Sequence, residues 1–247
     1  MNSAQRNAIV TGGASGIGRA VALRLAGMGM QVAVFDLDVQ AASAVAAFVR
    51  DGGGRAEAVQ VDVSDSAAVD AAVAKARSAF GPVHILVHCA GISGWALVPQ
   101  LSDEQWHRMR AVNFDGTFFL ARAVLPDMLE TRWGRIVNIS SGAGQNGGGA
   151  GLAHYAATKA GVIGLTKAMA LEVATQGVTV NAVSPGVVDT PINQNVPAER
   201  MQEIIRHIPM QRLGSPEEMA AACAYLVSEE AGYVTGQVLS ANGGFHM

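Results

Sequence analysis

Tyr155 and Lys159 stand four residues apart in His154-Tyr-Ala-Ala-Thr-Lys-Ala160, a segment that reads as the start of a helix. A four-residue step turns a helix by about 400° and climbs about 6 Å, so both side chains leave one face. A free tyrosine hydroxyl, with a pKa of about 10, is a poor acid–base group at neutral pH. A lysine ammonium alongside favours the phenolate and is expected to bring that pKa toward the working range. The pair alone is weak, because tyrosines and lysines meet at helical spacing by chance. It gains meaning from the glycine-rich turn Thr11-Gly-Gly-Ala-Ser-Gly-Ile-Gly18 in the same chain.

Gly12, Gly16 and Gly18, with Ser15 and Ile17 between them, lie where a first strand should pass into a first helix. Glycines let the backbone bend tightly and approach a pyrophosphate, and helix N-terminal N–H groups meet its charge. The spacing Gly-x-x-x-Gly-x-Gly departs from the commoner Gly-x-Gly-x-x-Gly. Asp36 follows 18 residues after Gly18, at the end of the second strand. That is where an acidic residue accepts hydrogen bonds from the adenosine ribose hydroxyls. Neither Ser15 nor Leu37 offers a cation for a 2′-phosphate, so the expected cofactor is NAD(H) rather than NADP(H). The competing readings are a plain turn and a solvated aspartate.

Strand-like and helix-like segments alternate along the chain. Strands are expected at 7–11, 31–36, 56–61, 84–88, 135–139, 178–183 and 237–240. Helices are expected at 17–28, after Asp36 as far as Gly52, from an N-cap at Ser64, over 102–132, over 155–175 and over 198–207. Strands separated by helices of this length imply right-handed crossovers and a parallel sheet covered on both faces. The expected fold is α/β: a single-domain, doubly wound Rossmann fold with a seven-stranded parallel sheet, spanning 1–247. Residues 185–197 carry three prolines, two asparagines and one glycine. This stretch reads as a lid over a binding site, spanning 186–212 with the helix after it, or as a mobile surface loop.

Of 247 residues, 50% are apolar and 15% charged, against about 25% charged in ordinary soluble domains. So little charge points to surface buried between copies, hence a homo-oligomer. A net charge of −3 without a basic run argues against nucleic acid or anionic membrane as partner. No apolar run approaches the roughly 18 residues that span a bilayer. The first strand begins by Asn7, which leaves no room for a signal peptide. Cys89 and Cys223 read as buried thiols rather than a disulfide or metal pair, so a reducing, cytoplasmic setting is expected.

Taken together, the chain resembles the short-chain dehydrogenase/reductase family along nearly its whole length. The motifs that carry the resemblance occur in order: Thr11-Gly-x-x-x-Gly-x-Gly18, Asp62-Val63, Cys89-Ala90-Gly91, Asn113, Ser140-Ser141, Tyr155-x-x-x-Lys159 and Pro185-Gly186. The resemblance implies that Asp62 and Val63 border the adenine, and that Val188 and Thr190 hold the nicotinamide carboxamide. It implies a catalytic set of Asn113, Ser141, Tyr155 and Lys159, acting on a secondary alcohol or its ketone. Tyr155 would exchange the proton, Ser141 would donate to the reacting oxygen and Asn113 would hold a water joining Lys159 to solvent. Lys159 would stabilise the tyrosinate and bind the nicotinamide ribose. Ser141 is preferred to Ser140, since strand alternation sends Ser140 to the opposite side, where its hydroxyl bonds backbone. A tetramer would pair the long helices after Ser102 and Tyr155 and the C-terminal strand around Val238.

Two departures stand out. His88-Cys89 replaces the family's usual Asn-Asn, and His88 reads as a structural brace rather than a proton donor. The glycine-rich stretch 142–151 is one residue longer than usual, which bears on the substrate pocket. Trp95, Gln145, Asn146, His154, Val187, Ile192 and Asn193 flank the catalytic elements and are candidates to line it; none is charged at neutral pH, so a neutral carbonyl compound is expected. The main alternative is a 3-oxoacyl-carrier-protein reductase. Those reductases generally use NADPH and present basic residues to an acidic carrier. Asp36 opposes the first trait, and Thr175-Gln176 stands where a basic residue is often found. A non-catalytic nucleotide-binding scaffold is the third reading; retention of all four catalytic residue types weighs against it.

Overall fold

The computed structural model describes residues 6–194 and 196–246. Seven parallel strands form one sheet in the order β3-β2-β1-β4-β5-β6-β7. They are β1 (Asn7–Thr11), β2 (Gln31–Asp36), β3 (Arg55–Gln60), β4 (Ile85–His88), β5 (Gly134–Ile139), β6 (Val178–Pro185) and β7 (Val238–Ala241). The strands β1, β4, β5 and β6 are buried along their whole length, as their continuous apolar runs require in a sheet covered on both faces. One face carries α1 (Gly16–Gly27), α2 (Val39–Asp51) and α9 (Pro216–Leu226), whose Val21, Leu25, Val45 and Leu226 pack with Val10, Val34 and Val87. The other carries α3 (Ser66–Phe80), α5 (Gly116–Thr131) and α7 (Ala153–Val173), whose Val73, Leu120 and Met169 pack with Ile9, Phe35 and Leu86. The expected α/β, doubly wound architecture is the one observed.

Strand order reverses between β1 and β4, and the crossovers on either side diverge. A crevice therefore opens at the carboxyl ends of these strands. The helical stretch expected over 102–132 is one continuous run in three pieces: α4 (Asp103–Arg110), a π-helical turn (Ala111–Asp115) and α5. It begins at Ser102, which forms a reciprocal capping box with Gln105. The N-cap of α3 is Asp65, not Ser64 as expected. The Asp65 carboxylate accepts the Ala67 and Ala68 N–H groups, while Ser64 is diverted to Asp62. Two helices escaped the sequence reading: α6 (Gly142–Asn146), hidden among glycines, and α9, announced by the capping box Ser215-Pro-Glu-Glu218.

Beyond β6 the chain makes a short 3-10 turn (Pro191–Asn193) and then α8 (Ala198–His207). A bridge between Val188 and Gly214 ties the base of this excursion together. Along α8, Met201, Ile204 and Ile205 are half-buried on one side, and Arg206 and His207 are exposed. Asn195, one of the loop asparagines, lies outside the described residues.

Candidate active site

The crevice at the β1–β4 switch is a cleft of about 960 Å³. It runs from Gly12 and the Ser15–Gly18 turn past Asp36 and Leu37 to Asp62 and Val63, and along Cys89, Ala90 and Gly91 to Thr190. Gly12 has φ +62°, and a Cβ there would stand 2.9 Å from the Ala90 main chain. A Cβ on Gly18 would collide with the Gly12 carbonyl. Only glycine lets β1 turn this tightly and leave the first N–H groups of α1 uncovered. Ser15 caps α1 through its backbone conformation alone, with no side-chain cap bond. A cradle of backbone N–H groups at a helix start suits a pyrophosphate.

Asp36 stands at the rim of this cradle. Its Oδ2 accepts the Ala14 N–H at 3.0 Å and its Oδ1 the Asp38 N–H at 3.0 Å, which aims the carboxylate beside the turn. Leu37 beside it is exposed. Farther along, Asp62 Oδ1 accepts both the N–H and the hydroxyl of Ser64, at 2.9 and 2.6 Å. Those bonds, with the charge of Arg108, hold the Asp62 carboxyl below its ordinary range. Glu104, His107 and Arg108 of α4 also line the cleft, joined by Ala111 and Val112 of the π turn. They were missed, although 104, 107, 108 and 111 share one face at helical spacing.

At the end of β4, the Thr11 hydroxyl oxygen accepts the Cys89 and Ala90 N–H groups, each at 3.1 Å. Its proton is then free to go to His88 Nδ1, 2.7 Å away. Burial, and secondarily the charge of Lys159, pushes the His88 pKa down to about 3. His88 is a neutral brace joining β4 to β1, as its sequence position suggested. Cys89 serves this junction through its backbone, and burial pushes its thiol pKa up.

The catalytic candidates gather where β5, α6 and α7 meet. Ser141 is the N-cap of α6, and its Oγ accepts the Ala143 N–H at 3.2 Å. The same hydroxyl lies near the Tyr155 phenol and offsets in part the rise that burial imposes on its pKa. Ser140 points the other way and donates to the Lys159 carbonyl at 2.8 Å, as alternation along the strand predicts. Lys159 Nζ is buried and donates to the Ile139 carbonyl at 2.8 Å, 5.9 Å from the centre of the Tyr155 ring. Gly144 completes the junction: a Cβ there would lie 2.6 Å from the Lys159 main chain. The serine segment is thus bolted to the helix that carries tyrosine and lysine.

One expectation is corrected here. The tyrosine pKa is raised by burial rather than brought down, while the Lys159 ammonium donates to the Ile139 carbonyl. Burial dominates both groups, raising the phenol and lowering the lysine to about 8. Asn113 sits buried in the π turn. Its Oδ1 accepts the Ile92 N–H at 2.8 Å and its Nδ2 donates to the Ile92 carbonyl at 2.9 Å, clamping the backbone beyond Gly91. A Cβ on Gly91 would lie 3.2 Å from Asn113 Oδ1 and 3.4 Å from Lys159 Nζ, so the cofactor cleft and the catalytic cluster share this wall.

The remaining candidates are scattered. Pro185 ends β6, Val188 is buried, and Gly186 and Val187 line a separate hollow of about 330 Å³ below α8. Thr190 lines the main cleft, with Ile192. Gln145 turns to Ser184 and Ser240 on the sheet, and Asn193 donates to the Val188 carbonyl. Trp95 donates to the Ala150 carbonyl across the glycine-rich loop. His154 is buried against Gly94 and Met109, consistent with its omission from the catalytic set.

Comparison with known proteins adds the lineage. A family model described as enoyl-(acyl carrier protein) reductase matches residues 12–246. The chain is 39% identical to the 3-oxoacyl-[acyl-carrier-protein] reductase FabG of Escherichia coli (strain K12), over all of both chains. It is 40% identical to the protein of that name from Vibrio cholerae serotype O1, again over the whole chain and entirely covering that relative. It is 38% identical to the (2S)-[(R)-hydroxy(phenyl)methyl]succinyl-CoA dehydrogenase subunit BbsD of Thauera aromatica, over 99% of this chain and 98% of that one. The glycine cradle and its rim carboxylate fit the nicotinamide dinucleotide on which this family depends. The chain belongs to the short-chain dehydrogenase/reductase family, oxidoreductases acting on CH–OH and keto groups.

Proposed function

We propose that the protein interconverts 3-oxoacyl and 3-hydroxyacyl thioesters with NAD(H) as cofactor. The observation that carries the chemistry is the β5–α6–α7 junction, which ties the serine segment to the Tyr155–Lys159 helix and sets Lys159 Nζ against the cleft wall at Gly91. The substrate class is supported by the relatives, whose names pair a carbonyl or hydroxyl with an acyl thioester. This narrows the sequence expectation of a simple alcohol or ketone toward the reading first held as the alternative.

Gly12, Ser15, Gly16, Ile17 and Gly18 would bind the pyrophosphate, and Asp36 with Leu37 the adenosine ribose. Asp62 and Val63 would flank the adenine, and Cys89, Ala90 and Gly91 the middle of the cofactor. Pro185, Gly186, Val188 and Thr190 would border the nicotinamide. The Asp36 carboxylate favours NAD(H), since a 2′-phosphate would meet its charge with no cation at Ser15 or Leu37. The bound nicotinamide supplies or accepts the hydride. Tyr155 delivers a proton to the carbonyl oxygen on reduction and removes it from the alcohol on oxidation. Ser141 donates to that oxygen, where charge changes most. Lys159, 5.9 Å from the centre of the Tyr155 ring, would stabilise the tyrosinate by its charge and bind the nicotinamide ribose. Asn113 positions the wall that both groups share. Residues 186–212 close over the substrate as a lid.

Initial rates with NADH and NADPH, each against acetoacetyl-CoA and cyclohexanone, test this reading. We expect NADH and the thioester to be preferred by at least tenfold. Preference for NADPH would overturn the role of Asp36, and preference for cyclohexanone would overturn the thioester assignment.

A further inference from the structure

One wall of the main cleft is α4, which turns Glu104, His107 and Arg108 toward it. The carboxylates of Asp36, Asp62 and Glu104 line this cleft, and among its described lining residues Arg108 is the one permanent cation. Arg110, on the same helical turn, is engaged by Asp115 at 3.2 Å. The Arg108 side chain makes no ion pair among the described residues, not even with Glu104 one turn earlier on its own face. A guanidinium left open to a ligand cleft points to a contact made by the ligand.

The helix that carries Arg108 is fixed in place. Ser102 and Gln105 cap its start, and Met109, next in sequence, is buried with its sulfur 3.0 Å from the Asn113 amide nitrogen. One residue turns a helix by about 100°, so anchoring Met109 in the interior leaves Arg108 facing the cleft. Asn113 also clamps Ile92, which ties this wall to the chain beyond Gly91. The charge of Arg108 reaches the Asp62 carboxylate, so it stands toward the Asp62–Val63 end rather than at the glycine turn. Val61, Val63 and Val112 give that end an apolar lining. Apolar side chains with one planar guanidinium suit a flat aromatic base, on which arginine stacks face to face. The pyrophosphate is already met by the N–H groups of the glycine cradle.

We propose that Arg108 is a cofactor-binding residue whose guanidinium stacks on the adenine ring of the bound dinucleotide. The inference rests on the dinucleotide reading of the cleft and adds a contact that neither the glycine turn nor Asp36 makes. Asp62 stands by to balance the charge of the guanidinium over the base. Affinity for the adenosine half of the cofactor then depends on α4, and the phosphates contribute nothing to this contact.

Binding to the full-length protein, followed by NADH fluorescence and its displacement by adenosine, tests this without turnover. Adenosine carries the base and no phosphate. In Arg108→Ala the NADH Kd and the adenosine Ki should both rise about tenfold, within the range of a cation–π contact to a desolvated ring. Arg108→Lys keeps the charge but loses the planar fork, and should recover at most about threefold of that loss. Arg110→Ala removes a charge from the same helical turn outside the cleft, and should bind both ligands as wild type does. An unchanged NADH Kd in Arg108→Ala, or an equal loss in Arg110→Ala, would reduce Arg108 to a helix-end charge and overturn the proposal. A raised NADH Kd with an unchanged adenosine Ki, restored by lysine, would assign the guanidinium to the pyrophosphate and overturn it as well. Wild-type protein that binds neither NADH nor NADPH would instead remove the parent reading, and this inference with it.

Discussion

Burial drives the two ionisable groups at the proposed proton-transfer centre toward neutrality. The Tyr155 phenol is raised and the Lys159 ammonium lowered to about 8, from an ordinary 10.5. Between those two pH values the unfolded chain binds a proton at Lys159 that the folded one has released, so folding stability rises with pH across the window. Below pH 8 the buried ammonium is a standing cost, on the order of 3 kcal/mol. Melting curves of Lys159→Met and wild type should therefore differ in a pH-dependent way. The variant's advantage is expected to be largest near pH 7 and to shrink toward pH 10.5; a difference that grows with pH would contradict a buried, depressed lysine. Asp36 makes a second residue-scale prediction. Asp36→Ala should weaken NADH about tenfold by removing hydrogen bonds to a charged acceptor, while NADPH improves relative to it. Isothermal titration with both nucleotides checks this, and an unchanged preference would count against the ribose contact.

At the scale of elements, the site depends on α6 lying directly on α7. Gly144 has no side chain where a Cβ would strike the main chain of Lys159 and Ala160. Gly144→Ala should push the serine segment away from Tyr155, lowering kcat at least tenfold and destabilising the fold by about 1–3 kcal/mol, as overpacking does. Denaturant melts and steady-state rates would measure both. The neighbourhood also shows what sequence could reveal. The strands, the β1–α1 turn and the Ser140–Ser141 alternation were legible because each depends on local chemistry: apolar runs, glycine conformations and a two-residue period. The misses were tertiary. Ser64 lost the α3 cap to Asp65 because Asp62 captured its hydroxyl. Lys159 lies beside the phenol as expected, but the phenol pKa is raised by burial, which its spacing from Lys159 could not reveal. The packing of His246 on Gly142 gave no signal at all, since nothing local brings these distant residues together.

The whole molecule has little charge and leaves apolar side chains outside. Phe118 on α5 and Leu171 on α7 are exposed, the latter by 84%, and Leu239 lies on the outer-edge strand β7. We propose that these surfaces pair in a homotetramer. Light scattering should give four times the 25.4 kDa chain mass, and a monomer would refute that assembly. No described helix is long and apolar enough to cross a membrane, and among the described residues no group of histidine, cysteine and carboxylate side chains could hold a metal ion. The proposed catalysis rests on one phenol at the end of one dinucleotide cleft, with cofactor binding and proton transfer on separable groups. Tyr155→Phe keeps the ring and removes only the hydroxyl, so it tests that claim most directly. The variant should bind NADH with the wild-type Kd and lose at least a thousandfold in kcat with acetoacetyl-CoA, of the size general acid catalysis supplies. Turnover within a few-fold of wild type would contradict the account.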